Sequence, residues 1–282
     1  MQGRYQEDTT EQESRTCRSK IVMLHYDESM KSVQTGITRR GSRCGSTDRS
    51  KKKRGTKESM ITDQFGKKWY KGNLHTHSTN SDGRLSPEEV IGLYREEGYD
   101  FLALTDHWFM GEERREENFL LLSGAEYDVG NNVRDGIYHV VGIGMQKEPK
   151  LEKGPELQEK QAQLMIDRIH EAGGIAILAH PAWSMNRASE VRLLKDLDGC
   201  EIYNTTSGVP WNCRPYSGII LDELAAQGYV LPCMAADDAH QYTGDETKSY
   251  LMVQADELSR DAILEAIAQG RFYASQGPRF WI

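Results

Sequence analysis

The sequence has few cysteines and lacks the motifs that build several common catalytic sites. Its 282 residues include five cysteines, with no Cys-x-x-Cys pair among them, so neither a disulfide framework nor a thiolate zinc site is indicated. It contains no Gly-x-Ser-x-Gly turn, no Walker loop and no glycine-rich dinucleotide loop. These absences argue against a serine hydrolase, a P-loop enzyme and a dinucleotide-binding enzyme.

Long apolar runs are also missing. Stretches such as Gly174–Ala179 are far too short to cross a bilayer, and Ile21–Leu24 is too short for the core of a signal peptide. Because the cysteines show no disulfide-like spacing, we expect reduced thiols in a cytoplasmic protein without a membrane partner.

Charge is distributed unevenly along the chain. The whole chain carries a net charge of −8, yet residues 1–59 are rich in Lys and Arg and include the run Lys51–Arg54. We expect residues 1–59 to be a disordered basic tail or an over-extended start, and residues 60–282 to form one domain. Because that domain is acidic, stable binding to duplex nucleic acid is not expected.

Strand-like and helix-like segments alternate from about residue 65 onward. The helix-like segments are 86–97, 158–172, 216–227 and 259–269, and each ends next to a glycine. Seven strand-like runs accompany them: 71–75, 101–105, 119–123, 138–143, 175–179, 199–203 and 230–235. This order is typical of βα units, so we expect the α/β class and a seven-stranded (β/α)7 TIM-like barrel, closed or nearly closed.

Six of the eight histidines lie in short clusters with carboxylates, which are His75-Thr76-His77 with Asp82, Asp106-His107, Glu126, His139, His180, and Asp237-Asp238-Ala239-His240. Neutral imidazole and carboxylate are ligands that Zn, Mn and Fe accept. Several of these residues follow predicted strand ends, where barrel enzymes assemble their sites. Two divalent metals about 3.5–4 Å apart can clamp the attacking and leaving oxygens of an ester hydrolysis. The pattern therefore predicts a multinuclear metal site in which a carboxylate such as Glu126 bridges two metals.

The same motifs resemble those of the polymerase and histidinol phosphatase (PHP) metallohydrolases, over roughly residues 65–280. Within this family, three segments are most similar to a branch that includes carbaryl hydrolase-like proteins, namely Tyr70–His75, Tyr242–Glu246 and Gly270–Ala274. The resemblance implies a distorted seven-stranded barrel. It also implies two or three divalent metals, Mn, Zn or Fe, per chain.

The resemblance further implies a ligand set, which is His75, His77, Glu126 and Asp237 for a first metal, Glu126, His139 and His180 for a second, and Asp82, His107 and His240 for a third. Glu126, Asp237 and His240 would be catalytic. Some relatives have histidine where this chain has Asp82, which favours the phosphoesterase branches. Asp106 could orient the ring of His107.

Several residues allow more than one interpretation of their role. His139 could be a buried hydrogen-bonded ring instead of a ligand, and Asp238 fits a supporting or capping role beside Asp237. Asn204 ends a predicted strand and could face the substrate, with Glu201 as a buried partner. Basic residues in loops after strands could bind a phosphate, namely Arg187, Arg214 and Lys248, and tryptophans in such loops could line an aromatic pocket, namely Trp108, Trp183 and Trp211.

We therefore expect a metal-dependent hydrolase. Our leading prediction is a phosphoesterase that acts through a metal-bridging hydroxide on a nucleotide, an oligonucleotide end in a 5'-3' exonuclease-like manner, or another small phosphoester. One alternative is an amide, carbamate or carboxyl-ester hydrolase with the same metals, and a second is a non-catalytic PHP scaffold. The final residues, Phe280–Ile282, would need apolar cover if the chain ended there, so a C-terminal truncation is an open alternative.

Overall fold

The structure of the protein is a computed structural model, which describes residues 60–130, 137–152, 158–208, 210 and 212–278. The predicted tail at residues 1–59 lies outside this part of the chain, as do Trp211 and the Phe280–Ile282 end.

The described residues form twelve strands and five α-helices. The strands are β1 Ile61–Thr62, β2 Lys68–Asn73, β3 Phe101–Ala103, β4 Arg114–Glu116, β5 Phe119–Leu122, β6 Gly124–Val129, β7 Tyr138–Ile143, β8 Ile175–Leu178, β9 Gly199–Asn204, β10 Cys233–Ala236, β11 Tyr250–Gln254 and β12 Phe272–Ser275. The helices are α1 Pro87–Glu96, α2 Gln158–Glu171, α3 Ala188–Val191, α4 Gly218–Ala226 and α5 Arg260–Ala268.

The strands form two mixed sheets, and neither sheet closes into a barrel. One sheet has seven strands, in the order β12-β11-β2-β3-β5-β4 with β1 paired to β2, and the other has five, in the order β10-β9-β8-β7-β6. The predicted (β/α)7 barrel is therefore wrong. Five helices are too few for seven βα units, and β6, β7, β11 and β12 make antiparallel pairs that such a barrel does not contain.

The helices were predicted more accurately than the strands, because helix ends are marked by local sequence signals. All four predicted helices are present within a few residues of their expected bounds. Helix α1 begins at a capping box, in which the carboxylate of Glu89 accepts bonds from the backbone N–H (2.9 Å) and the hydroxyl (2.6 Å) of Ser86. Such boxes satisfy otherwise unpaired groups in the first helical turn, so this start could be recognised from sequence.

Two isolated β-bridges bring the sheets together beside the histidine clusters. Thr76, after β2, pairs with Ala239, after β10, and His107, after β3, pairs with Glu126 in β6. Each bridge joins a residue next to the seven-stranded sheet to a residue in or next to the five-stranded sheet. The polar clusters from both sheets therefore meet at one place although the hydrogen-bonded ladders stay separate.

Helices α2, α4 and α5 pack against strands of the two sheets and contribute to the apolar core. Helix α2 contributes Met165, Ile166 and Ile169, all fully buried with residues of β6–β8. Gly142 in β7 lies so close to Ile169 that a Cβ there would come within 2.9 Å of its side chain. None of the described helices is both long enough and apolar enough to cross a membrane.

Candidate metal centre

Nine polar side chains converge where the two sheets meet. They come from the segment after β2, from the ends of β3, β8 and β10, and from within β6 and β7, and they are His75, His77, Asp82, His107, Glu126, His139, His180, Asp238 and His240. Within the described residues, three groups of them have ligand atoms within 4.8 Å of one another.

The first group is fully buried and contains His75, His77, Glu126 and Asp238. The Nε2 atoms of His75 and His77 each lie 3.1 Å from Oδ1 of Asp238. The same two nitrogens lie 3.3 Å and 3.1 Å from Oε2 of Glu126. Two imidazole nitrogens and two carboxylate oxygens thus surround one point, which suits a tetrahedral or larger coordination shell.

The second group lies nearer the surface and contains His77, Asp82, His107 and His240. Asp82 is 55% exposed, and its Oδ1 lies 3.5 Å from both Nδ1 of His77 and Nε2 of His240. His77 and His240 also stack, with ring centroids 4.0 Å apart. This group is the one that solvent reaches most easily.

Glu126 belongs to the first and third groups, and its Oε2 also lies near two members of the second, His77 and His107. The third group is His107, Glu126 and His139. Oε1 of Glu126 lies 2.7 Å from Nδ1 of His139 and 3.3 Å from Nε2 of His180, whereas Oε2 faces His75, His77 and His107. A carboxylate with each oxygen turned toward a different set of imidazoles has the orientation of a bridging ligand.

Asp238 faces the histidines, and Asp237 points away from them into a protein hydrogen-bond network. Oδ1 of Asp237 accepts bonds from the backbone N–H groups of Lys248 (3.0 Å) and Ser249 (2.7 Å) and from the hydroxyl of Thr205. Its Oδ2 accepts the hydroxyl of Tyr94 at 2.8 Å. None of the three ligand groups includes Asp237, so Asp238 lies among the histidines, where the family resemblance implied Asp237.

The sequence did not reveal which aspartate faces the histidines, because two adjacent residues of the same type have the same chemistry. The backbone separates them, since Asp238 adopts a left-handed conformation with φ of 54° that turns its side chain away from that of Asp237. The spacing Asp238-Ala239-His240 was the available signal. With one residue between them, both side chains reach the centre.

The electrostatics of the two aspartates differ accordingly. Burial raises the pKa of Asp237 to about 6, against the lowering effect of its hydrogen bonds. Burial acts in the same direction on Asp238, but the neighbouring His75, His240 and His77 outweigh it and lower its pKa well below the usual range. Asp238 is therefore the carboxylate that stays ionised among the imidazoles.

The other clustered groups perturb one another in the same way. Although burial opposes the shift, the imidazoles of His75 and His139 hold the pKa of Glu126 well below its usual range. Burial likewise lowers the pKa of His240, but Asp238 and Asp82 raise it to about 9. Strong mutual perturbation of this kind is typical of functional sites.

The donor set fits a divalent cation. Nδ1 of His107 and Oδ1 of Asp238 are buried without a hydrogen bond, although two histidine nitrogens lie 3.1 Å from the latter. Buried polar atoms without partners are costly. A divalent cation would give these two atoms a partner, whereas Nδ1 of His139 already lies at hydrogen-bond distance from Oε1 of Glu126.

Asp106 has a different role from the one expected. It was predicted to orient His107, but its carboxylate accepts bonds from the backbone N–H and hydroxyl of Ser78, both at 2.7 Å, and from the hydroxyl of Ser81 at 2.8 Å. Asp106 therefore fixes the loop that carries Asp82.

The predicted substrate-binding residues do not line the cavity beside the ligands. Arg187 is 75% exposed and lies 3.7 Å from Glu190, and the side chains of Arg214 and Lys248 are exposed. Asn204 is fully buried, and its amide nitrogen donates to Glu201 and Asp238.

The cavity beside the candidate ligands is also lined by residues that are not ligands, and of these the sequence indicated only Trp183. Its volume is about 280 Å³, and the residues other than ligands that line it are Trp183, Thr206, Ser207, Asn212 and Gln241. The ring of Trp183 packs edge-on against His139 and His180, at centroid distances of 5.7 and 5.0 Å. Trp108 does not line the cavity and donates to Asp128 instead. A larger surface depression of about 650 Å³ shares no residue with the histidine groups.

Comparison with known proteins gives limited similarity in sequence and clearer similarity in fold. No family model matches the chain. A 5'-3' exoribonuclease of Haemophilus influenzae is 34% identical over 114 residues, which cover 36% of this chain and 41% of that protein. An uncharacterised protein of Methanocaldococcus jannaschii is 27% identical over 150 residues, 48% of this chain and 81% of that protein. The chain thus matches less than half the length of the exoribonuclease.

Among solved structures, a two-domain protein of Bacteroides vulgatus that contains a predicted PHP-like metal-dependent phosphoesterase superposes with a TM-score of 0.58. The sequence identity is 20%, and the match covers 78% of this chain and 68% of that one. The chain therefore shares its fold with a protein that contains a PHP-like domain.

Proposed function

We propose that this chain is a metal-dependent phosphoesterase that acts on a nucleotide, an oligonucleotide end or another small phosphoester. The observation that carries the proposal is the convergence of six imidazoles and three carboxylates on one cavity. The partial similarity to a 5'-3' exoribonuclease favours a nucleotide-containing substrate.

Two or three divalent metals, Mn, Zn or Fe, would be held by the three groups around Glu126. We assign Asp238 in place of Asp237 among the ligands, because its carboxylate faces the imidazoles. His180 joins Glu126 on the side of His139, with its Nε2 3.3 Å from Oε1 of Glu126. When bound, such metals polarise a phosphoryl group and lower the pKa of water to about 7.

The protein's own residues order and enclose this centre. Glu126 is 1% exposed and faces the buried groups with both oxygens, so it sets their separation. His240 and Asp82 lie at the open rim, where the leaving group would meet them. Trp183 also lines the cavity and packs against His139 and His180. Asp237 remains important in this scheme as the anchor of the loop that bears Asp238 and His240.

The experiment is a turnover assay over a panel of phosphate monoesters, nucleotides and short 5'-phosphorylated oligonucleotides, with added Mn or Zn. We expect phosphoester cleavage by the native sequence and its loss in His75→Ala. The matched control is His170→Ala, because His170 lies on α2 and pairs with Asp198, outside all three ligand groups. Equal turnover in both variants would contradict the proposal, as would a metal-loaded protein that cleaves no phosphoester.

The second candidate keeps the metals and changes the bond, so that the chain hydrolyses an aryl carbamate or another amide or ester. The position of Trp183 against two ligand histidines favours it, since an aromatic substrate could pack there. The resemblance to carbaryl hydrolase-like proteins points the same way. Parallel assays with an aryl phosphate and an aryl carbamate separate the two, and preferential cleavage of the carbamate would replace our first choice.

A further inference from the structure

We propose that Glu201 and Asn204, both on β9, are positioning residues that hold three ligands of the centre, His75, His180 and Asp238, in their ligating orientations. The inference rests on the proposed metal centre and assigns a role to two buried side chains outside the ligand set.

Glu201 fixes the tautomer and the direction of His75. Its Oε1 lies 2.7 Å from Nδ1 of His75, whose Nε2 points toward Asp238 and Glu126. An ionised carboxylate can only accept, so Nδ1 carries the proton. The lone pair of neutral His75 is then on Nε2, the atom that faces the other ligands. A carboxylate behind a ligating histidine commonly plays this part.

The same carboxylate holds the backbone of His180. Its Oε2 accepts the N–H of His180 at 2.9 Å. His180 has a φ of 27°, a strained conformation that non-glycine residues rarely adopt. The backbone between β8 and the following turn is therefore held at His180 by Glu201, and Nε2 of His180 lies 3.3 Å from Oε1 of Glu126.

Asn204 extends the network to the third ligand. Its amide nitrogen donates to Oε2 of Glu201 at 2.9 Å and to Oδ2 of Asp238 at 3.1 Å, and its carbonyl oxygen accepts the backbone N–H of Ser207. Both amide hydrogens are therefore used inside the protein. With Oδ2 of Asp238 held in this way, Oδ1 is left to face His75 and His77.

Packing alone does not explain Glu201. Its side chain is 2% exposed, and in the described part of the chain its ion-pair partner is His75. A buried carboxylate is costly, and a well-packed apolar residue often serves a core better. Because its three hydrogen bonds go to two ligands and to the residue that holds a third, we infer that it is there to order the centre.

The test compares Glu201→Gln with the native protein in affinity for Zn²⁺ and Mn²⁺, measured by competition with a chromophoric chelator. A lost outer partner typically weakens metal binding roughly 10- to 100-fold, and we expect a loss in that range. Glu265→Gln, an exposed change on α5, is the matched control and should leave affinity within about twofold, as expected for a distant surface site. Native-like affinity in Glu201→Gln would overturn the inference while leaving the metal centre intact. No metal binding by the native protein would overturn the proposed centre as well.

Two further measurements test the inference even if Glu201→Gln fails to fold. Asn204→Ala keeps the contact between Glu201 and His75 and releases Asp238, so metal affinity should fall about tenfold, at the lower end of that range. In the Zn²⁺-loaded native protein, the imidazole ¹⁵N shifts of His75 should show a proton on Nδ1 alone. A proton on Nε2, or unchanged affinity in Asn204→Ala, would contradict the positioning role.

Discussion

Exchanging the two adjacent aspartates for asparagine, one at a time, tests the geometry of the centre most directly. Asp238→Asn removes the negative charge that faces His75 and His77 at 3.1 Å. Structural zinc sites bind with about 10–16 kcal/mol. Shared among four ligands, this is roughly 2.5–4 kcal/mol for one ligand, or about 100- to 1000-fold in affinity. We expect a loss of that order and the disappearance of hydrolysis.

Asp237→Asn should have a different effect. Its two oxygens accept four hydrogen bonds from protein donors. The new amide would have to turn its NH₂ toward Tyr94, whose hydroxyl can accept, and keep its oxygen toward Ser249. We expect a loss of about 1–3 kcal/mol in the free energy of unfolding, with a change in metal affinity below about tenfold, the lower end of outer-partner losses.

The assays are chelator competition for metal affinity and denaturant titration of the metal-free proteins for stability. Both are needed, because a merely unstable variant would show a reduced stability and a normal affinity per folded molecule. If Asp237→Asn abolished metal binding while Asp238→Asn retained it, our assignment of the ligand would be refuted.

Three further predictions concern packing, pH and metal removal. Gly72→Ala should destabilise the protein by about 1–3 kcal/mol in denaturant titration, since a Cβ there would overlap the ring of Phe101; Gly92→Ala, with open space at a helical position, is the control and should be neutral or stabilising. The hydrogen bond to Asp198 raises the pKa of His170, so its stabilising effect should be full below about pH 6.5 and decline as pH rises through the higher folded-state pKa. His170→Gln should therefore lose at most about 1 kcal/mol, more at pH 5 than at pH 9, and a loss that grew with pH would contradict this. Mn²⁺ at 100 times its Kd should raise the free energy of unfolding by about 2.7 kcal/mol, and a chelator should reverse the accompanying rise in Tm; no thermal shift would count against the centre.

The helices and the chemistry of the site could be predicted from sequence because their signals are local. The start of α1 is encoded within four residues by Ser86, Pro87 and Glu89. Imidazole and carboxylate have few other uses when they are clustered, so His75, His77 and His107 indicated metal binding before their positions were known. The chain shares its fold with a protein that contains a PHP-like domain.

The sheet architecture could not be obtained in this way. The apolar runs 101–105 and 175–179 fitted parallel strands of a barrel, but β11 and β12 pair in antiparallel fashion, and no helix lies between β10 and β11. Strand pairing depends on partners far apart in the chain, such as Leu251 and Gly72. Whether a sheet closes is decided by those pairings and by no local pattern.

By itself the sequence determined which residue types are available to hold metals and where the helices begin and end, because both depend on side-chain chemistry and on neighbours within a few residues. Only the tertiary structure decided that Asp238 and not Asp237 faces the histidines, that Arg187 and Lys248 lie away from the cavity, and that Glu201 lies behind His75. The reason is physical. Backbone conformation and contacts between distant strands set the direction of each side chain, and neighbouring residues of the same type become distinct only when the sheets meet.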